Sequence, residues 1–121
     1  MPQAEAPQRR TRKPDRIRRT SDFRRAYTQG KRIAGQYFTA FCLKIPQNAG
    51  PRFGFTLPRA LGKAVVRNRV KRRLREMLRV RVEEFAPEWD IVFNPRRAAF
   101  AASPKELSRE LDRLIAQCAK L

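Results

Sequence analysis

Apolar residues recur along the chain with two distinct periods. Between Lys63 and Arg81 the period is helical. Val66, Val70, Leu74, Met77 and Leu78 fall on one side, and Asn68, Arg69, Arg72, Arg75 and Arg79 on the other. The apolar stripe is suited to bury against a sheet or another helix. Pro87 blocks continuation, so the pattern predicts a helix ending near Phe85 and Ala86. Ile33 to Ile45 alternates instead and predicts one long strand. Tyr37, Thr39, Phe41, Leu43 and Ile45 share one face; Phe38, Ala40, Cys42 and Lys44 share the other. Both faces are largely apolar, so both are expected to be covered. The segment from Pro46 to Pro51 is a turn by composition, and Arg52 to Leu57 is the next strand, predicted to form an antiparallel hairpin with the first. A third, short apolar strand runs from Trp89 to Phe93.

Two further helices complete the pattern. Thr20 or Ser21 is placed to cap a short one, with Phe23, Ala26 and Tyr27 on one face and Gly30 as its stop. Ser103-Pro104-Lys105-Glu106 reads as a capping box with proline at the first helical position, and Leu107, Leu111, Leu114, Ile115 and Cys118 continue as an apolar stripe. The order helix, strand, strand, helix, strand, helix predicts a small α/β two-layer fold, a mixed sheet covered by helices. Its middle part is a βαβ unit, for which sterics alone favour a right-handed crossover. Residues 16–121 are read as one domain. Residues 1–15, rich in proline, glutamine and arginine, are read as a disordered basic tail whose Arg9, Arg10, Arg12 and Lys13 could add diffuse phosphate contacts.

Charge sharpens this picture. The formal net charge is +18, and nine Lys or Arg residues lie between Lys63 and Arg81 against a single acid, Glu76. Like charges spaced three and four apart destabilise a helix, so such a row points to a polyanion that neutralises it. Nucleic acid is the first candidate and an anionic membrane surface the second. No apolar run approaches the ~20 residues of a membrane span. The charged N-terminus lacks the apolar centre of a secretory signal, which points to the cytoplasm. Histidine is absent, Cys42 and Cys118 are far apart and read as small buried hydrophobes, and the acids do not cluster. A protein-held metal and a catalytic protein residue are therefore not expected.

Three stretches carry a family resemblance. The run Gly62-Lys63-Ala64-Val65-Val66-Arg67-Asn68-Arg69-Val70-Lys71-Arg72 resembles the signature of the bacterial ribonuclease P protein subunit, with Arg67-Asn68-Arg69 at its centre. Arg16-Ile17-Arg18-Arg19-Thr20-Ser21-Asp22-Phe23 and Arg52-Phe53-Gly54-Phe55-Thr56 match upstream. Pro58 and Ala60 depart from the family, which usually has a second basic residue in that loop. The resemblance implies a left-handed crossover in the βαβ unit. It implies a protein that supports removal of the 5′ leader from precursor tRNA, with hydrolysis carried out by a catalytic RNA and its magnesium ions. The partners implied are that RNA and precursor tRNA, with no membrane and no further protein required. Carried over by motif, Arg59, Lys63, Arg67, Asn68, Arg69, Lys71, Arg72, Arg75 and Arg79 would face the catalytic RNA. Phe23, Tyr27, Thr39 and Phe41 would line a leader cleft, with Arg16 and Arg19 at its rim. Aromatic faces accept any base and cations track the backbone, which suits leaders of varied sequence. The rivals are a structural RNA-binding protein of the ribosomal type, a protein-only nuclease, and a basic protein bound to DNA or membrane.

Overall fold

The computed structural model describes residues 15–121. The tail expected over residues 1–15 therefore lies, except for Asp15, outside the described residues. The elements are β1 (Asp15–Arg16), α1 (Thr20–Gln29), β2 (Lys31–Ala34), β3 (Phe38–Lys44), β4 (Arg52–Phe55), α2 (Ala64–Val80), β5 (Trp89–Pro95) and α3 (Pro104–Ala119), with short 3-10 turns at Arg59–Leu61, Val82–Glu84 and Arg97–Phe100. The five strands form one mixed sheet in the order β1-β4-β5-β3-β2. The predicted α/β class with a mixed sheet covered by helices is the observed one.

Two strand expectations are corrected. The segment from Ile33 to Ile45 is not one strand: it turns at Gly35–Tyr37, and β2 folds back antiparallel on β3, with Ile33 opposite Ala40. The turn is held from outside. The Glu110 carboxylate of α3, 3% exposed, accepts from the backbone N–H groups of Gln36, Tyr37 and Phe38 at 2.8–2.9 Å. The second correction concerns the hairpin of β3 with β4. β5 lies between them, antiparallel to β3 and parallel to β4. Strands adjacent in sequence usually pair. Here the strand with nearly every residue buried takes the centre, where both of its faces are covered. β4, α2 and β5 form the expected βαβ unit.

One sheet face carries Phe53, Ile91, Phe93, Phe38, Ala40 and Cys42, and packs against Leu78, Val82, Phe85, Leu111, Leu114 and Cys118 from α2, the turn after it and α3. This is the main core. The opposite face carries Val92, with Phe41 beside it, and among the described residues is covered by α1 through Ala26, Phe23 and Tyr27 and by Ile17. α1 has ten residues and the sheet five strands, so α1 by itself covers only part of this face.

Helix ends also differ from the sequence reading. α1 is capped by neither Thr20 nor Ser21; Arg19 occupies the cap position without a side-chain bond. Gly30 does follow the helix, but with an extended backbone. Its lack of a side chain permits close approach, since a Cβ there would lie 2.5 Å from the Ala26 carbonyl oxygen. α2 ends at Val80, about one turn short of the expectation. Arg81 leaves the helical conformation there and pins the junction through Glu84, Asp112 and the Ser108 carbonyl. Glu84, whose charge opposes the helix dipole, is thereby neutralised. The capping box of α3 is as predicted, with the Glu106 N–H donating to Ser103 Oγ and the Ser103 N–H to Glu106 Oε1. At the other end of the sheet, Asp90 accepts from Arg52 Nε at 2.8 Å and from Asn48 Nδ2 at 2.7 Å, tying β4 and its preceding loop to β5. Among the described residues no helix is long and apolar enough to cross a membrane.

Candidate nucleic-acid interface

The stripe of Val70, Leu74 and Leu78 buries one side of α2, and this orients the rest of the helix. Asn68, Arg69 and Arg72 are thereby exposed, as are Lys63 and, in the preceding loop, Arg59. Arg69, Lys71 and Arg72 have no acidic partner among the described residues. Arg79 is different: its Nε donates to Glu76 at 3.0 Å, and this bond raises the guanidinium pKa. Arg67 also differs from the outward-facing residue that was expected. Its Nε donates to the Gly62 carbonyl at 3.0 Å and its Nη1 to the Leu57 carbonyl at 3.1 Å. Arg97 donates to the Ala60 carbonyl, so two arginines hold the loop between β4 and α2. Arg73 is likewise turned inward, onto the Ala102 carbonyl.

Arg75 links this helix to the sheet. Its guanidinium carbon sits 5.8 Å from the centre of the Phe55 ring, and its buried Nε has no hydrogen-bond partner among the described residues. Desolvation first, then the nearby Arg16 charge, weigh against the cation and lower its pKa. Arginine nonetheless stays protonated. Around it lies a groove of about 400 Å³ lined by Arg16, Arg18, Phe23, Phe55, Lys71 and Arg75 among others. The groove runs past the sheet edge where β1 ends. It joins residues expected on the catalytic-RNA surface to residues expected at the leader.

Beside α1, the second sheet face gathers side chains from α1, β3, β5 and the segment after β4. The Tyr27 and Phe41 rings meet edge to face with centroids 4.8 Å apart. The Tyr27 hydroxyl donates to Asn94 Oδ1 at 3.0 Å and lies 2.6 Å from Thr56 Oγ1. Thr39 is opposite Asn94 in the sheet, and its hydroxyl accepts from Arg96 Nη2 at 3.2 Å. Thr56, Asn94 and Thr39 thus form a polar row across neighbouring strands, walled by Tyr27 and Phe41 and overhung by the exposed Arg96. Arg19 is exposed at the start of α1 and Arg16 on β1.

The family model for ribonuclease P matches residues 11–119 of the chain. The chain belongs to the ribonuclease P protein family. It is 41% identical over 101 residues to the ribonuclease P protein component of Acidothermus cellulolyticus, covering 83% of this chain and 84% of that protein. The component from Thermobifida fusca is 38% identical over 106 residues, covering 81% and 71%. Solved structures agree. The ribonuclease P protein of Thermotoga maritima superposes with a TM-score of 0.76 at 27% identity, covering 85% of this chain and 96% of that one. That of Staphylococcus aureus does so with 0.76 at 28%, covering 89% and 97%. Membership gives the chain a part in tRNA 5′ processing, as the protein component of a ribonuclease complex. It also sets aside the ribosomal-type alternative.

For a ribonuclease P protein, the sequence reading of these surfaces was incomplete. Thr56, Asn94 and Arg96 were not singled out as site residues. Asn94 carried a usable signal: it follows Val92 on the same strand face, where an apolar residue would otherwise be expected. Gly54 was also missed. A Cβ there would lie 2.9 Å from the Phe23 ring and 3.1 Å from Ile17, so its lack of a side chain seats Phe23 against the sheet. Gly54→Ala is expected to destabilise the fold by about 1–3 kcal/mol through overpacking, measured by urea unfolding, and to displace the Phe23 ring toward solvent.

Proposed function

We propose that the protein docks on the catalytic RNA of ribonuclease P through the outer face of α2 and holds the 5′ leader of precursor tRNA in the cleft beside α1. The observation that carries this reading is the adjacency of two unlike surfaces. One bears cations without acidic partners; the other has aromatic walls and a polar floor; the groove at Arg75 connects them. Arg59, Lys63, Asn68, Arg69, Lys71 and Arg72 would contact phosphates, and each neutralised phosphate releases a bound counterion. In the cleft, Tyr27, Phe41 and Phe23 offer ring surface to unpaired bases. Thr39, Thr56 and Asn94 offer donors and acceptors, and Arg96, Arg16 and Arg19 offer charge to the backbone. Such a cleft gains affinity from any base sequence and strong selectivity from none, which suits a substrate set whose leaders vary.

Hydrolysis in this reading belongs to the RNA, in the cytoplasm. Among the described residues no three cysteine, aspartate or glutamate side chains come together as a set of metal donors. Asp22 of α1 and Asp90 of β5 are both engaged with Arg52. In this reading the magnesium ions of the assembled enzyme are held by RNA, and the protein binds, orients and neutralises.

The test uses Tyr27→Ala and Tyr27→Phe, each assembled with the catalytic RNA. Substrates carry either a leader of several nucleotides or a single-nucleotide leader. Tyr27→Ala is expected to weaken binding of the long-leader substrate by about 1–3 kcal/mol per stacked base, with little effect on the short one. Tyr27→Phe keeps the ring and should lose less. Equal defects on both substrates would mean that Tyr27 only closes the fold.

A further inference from the structure

The main core contains a pair of thiols that RNA binding does not use. Cys42 on β3 and Cys118 near the end of α3 are both free and buried, and their sulfur atoms lie 3.9 Å apart. The two residues are not equivalent. Cys118 lines a cavity of about 320 Å³ that opens to the surface between Trp89, Phe85, Ile115 and the chain end. Cys42 lies behind it, among Phe38, Phe93 and Ile91. Lys44 frames the cavity by spanning the Trp89 ring, at 5.4 Å, and the Leu121 carbonyl, at 2.9 Å. Glu84 and Glu88 complete the rim.

From this geometry we infer that Cys118 and Cys42 form an oxidant-driven disulfide that locks α3 onto the sheet, with a small neutral peroxide as the oxidant. The cavity admits a molecule of that size to Cys118, whereas glutathione disulfide, two joined tripeptides, is too bulky to bring its central sulfur atoms to the half-enclosed thiol. The order of events follows from the positions. Cys118 meets the oxidant first, because it lines the cavity and Cys42 does not; contact between the two sulfur atoms also lowers the Cys118 pKa. The Cys42 thiol is pushed up by the same contact and by burial. The Cys118 thiolate attacks one peroxide oxygen. The O–O bond breaks, hydroxide leaves and takes up the thiol proton to become water, and Cys118 becomes a sulfenic acid. Cys42 sulfur then attacks the Cys118 sulfur. The S–O bond breaks, the Cys42 proton leaves with the hydroxyl as a second water, and the S–S bond forms. Two thiols are oxidised by two electrons and one peroxide is reduced to two waters.

The sulfur atoms must approach from 3.9 Å to a disulfide length of about 2.05 Å. α3 can supply that movement, because Cys118 lies in its last turn, one residue before the helix ends at Ala119. The new bond would join β3 and α3 a second time, beyond the existing tie from Glu110 to the turn before β3. It encloses most of the chain between β3 and the C-terminus. A loop of that length is expected to raise the melting temperature by roughly 10 °C. The RNA-facing residues lie on α2 and on the other sheet face, so affinity for the catalytic RNA should not change.

The experiment treats the folded full-length protein with hydrogen peroxide, and in parallel with glutathione disulfide, followed by intact-mass measurement and peptide mapping. The expected result is a loss of two hydrogens, a peptide pair joined through Cys42 and Cys118, and a melting transition that rises and reverts on reduction. Peroxide should act faster than glutathione disulfide. In Cys42→Ala, a dimedone-type reagent should trap sulfenic acid at Cys118; in Cys118→Ala, Cys42 should stay unlabelled. Cys42→Ser serves the same purpose if the alanine variant folds poorly. Oxidation that starts at Cys42, links two chains, or requires denaturant would overturn the proposal.

Discussion

Replacing Glu110 with alanine is expected to destabilise the protein by about 3–5 kcal/mol, one of the largest single-site effects available in this fold. The carboxylate accepts from three consecutive backbone N–H groups, those of Gln36, Tyr37 and Phe38. Alanine leaves all three without this partner, the Phe38 N–H in a buried site and the other two nearer the surface. Each unsatisfied buried donor costs about 1–3 kcal/mol, and entry of water into the space vacated keeps the sum below the simple total. Arg113 reaches the same carboxylate at 3.4 Å but is mostly exposed, so it contributes little. Glu110→Gln should fall between wild type and alanine. Its oxygen can keep the bonds to Tyr37 and Phe38, whereas its amide nitrogen would face the Gln36 N–H, donor against donor. Denaturant unfolding checks the ranking. An alanine variant within ~1 kcal/mol of wild type would show that this turn closes without the carboxylate. The loss also bears on function, because the turn sets where β3 begins and hence where Thr39 meets Asn94.

The second large effect concerns the RNA surface. Arg69→Ala and Arg72→Ala together should weaken binding to the catalytic RNA by on the order of tenfold per lost contact at moderate salt, with the melting temperature unchanged. Both side chains point away from Val70, Leu74 and Leu78 and make no ion pair within the described residues. Their removal should even relieve some repulsion along α2. The decisive readout is the salt dependence. Each lost phosphate contact should make the log–log slope shallower by roughly 0.7–0.9, so the double variant should lose about twice that. Unchanged affinity and slope would mean that this face is merely solvated. Arg67→Ala is a useful contrast. It removes the bonds to Gly62 and Leu57, so it should disturb the loop before α2 and the fold along with RNA binding.

The contrast between Arg67 and Arg69 shows where the sequence stops being informative. Both belong to the same three-residue motif, and periodicity alone cannot say that one folds back onto carbonyls. That depends on where the loop before the helix passes, which is a matter of tertiary packing. Arg73 and Arg75 teach the same lesson: one caps the Ala102 carbonyl, and the other lies over Phe55 with an unpaired nitrogen.

By itself the sequence determined the helices, the apolar stripes, the capping box before α3, the concentration of charge on α2 and the family to which the chain belongs. These follow from local periodicity, local capping chemistry and residue identity, all of which act over a few neighbouring positions. Only the tertiary structure decided that β5 separates β3 from β4, that the long strand bends at Gly35–Tyr37, and that Thr56, Asn94 and Arg96 join Tyr27 and Thr39 in one cleft. Strand order is a competition among non-local pairings, and β5 wins the centre because both of its faces are buried. The bend depends on a carboxylate supplied from more than seventy positions downstream. The grouping of these side chains depends on where α1 lies across the sheet, which no single element reveals.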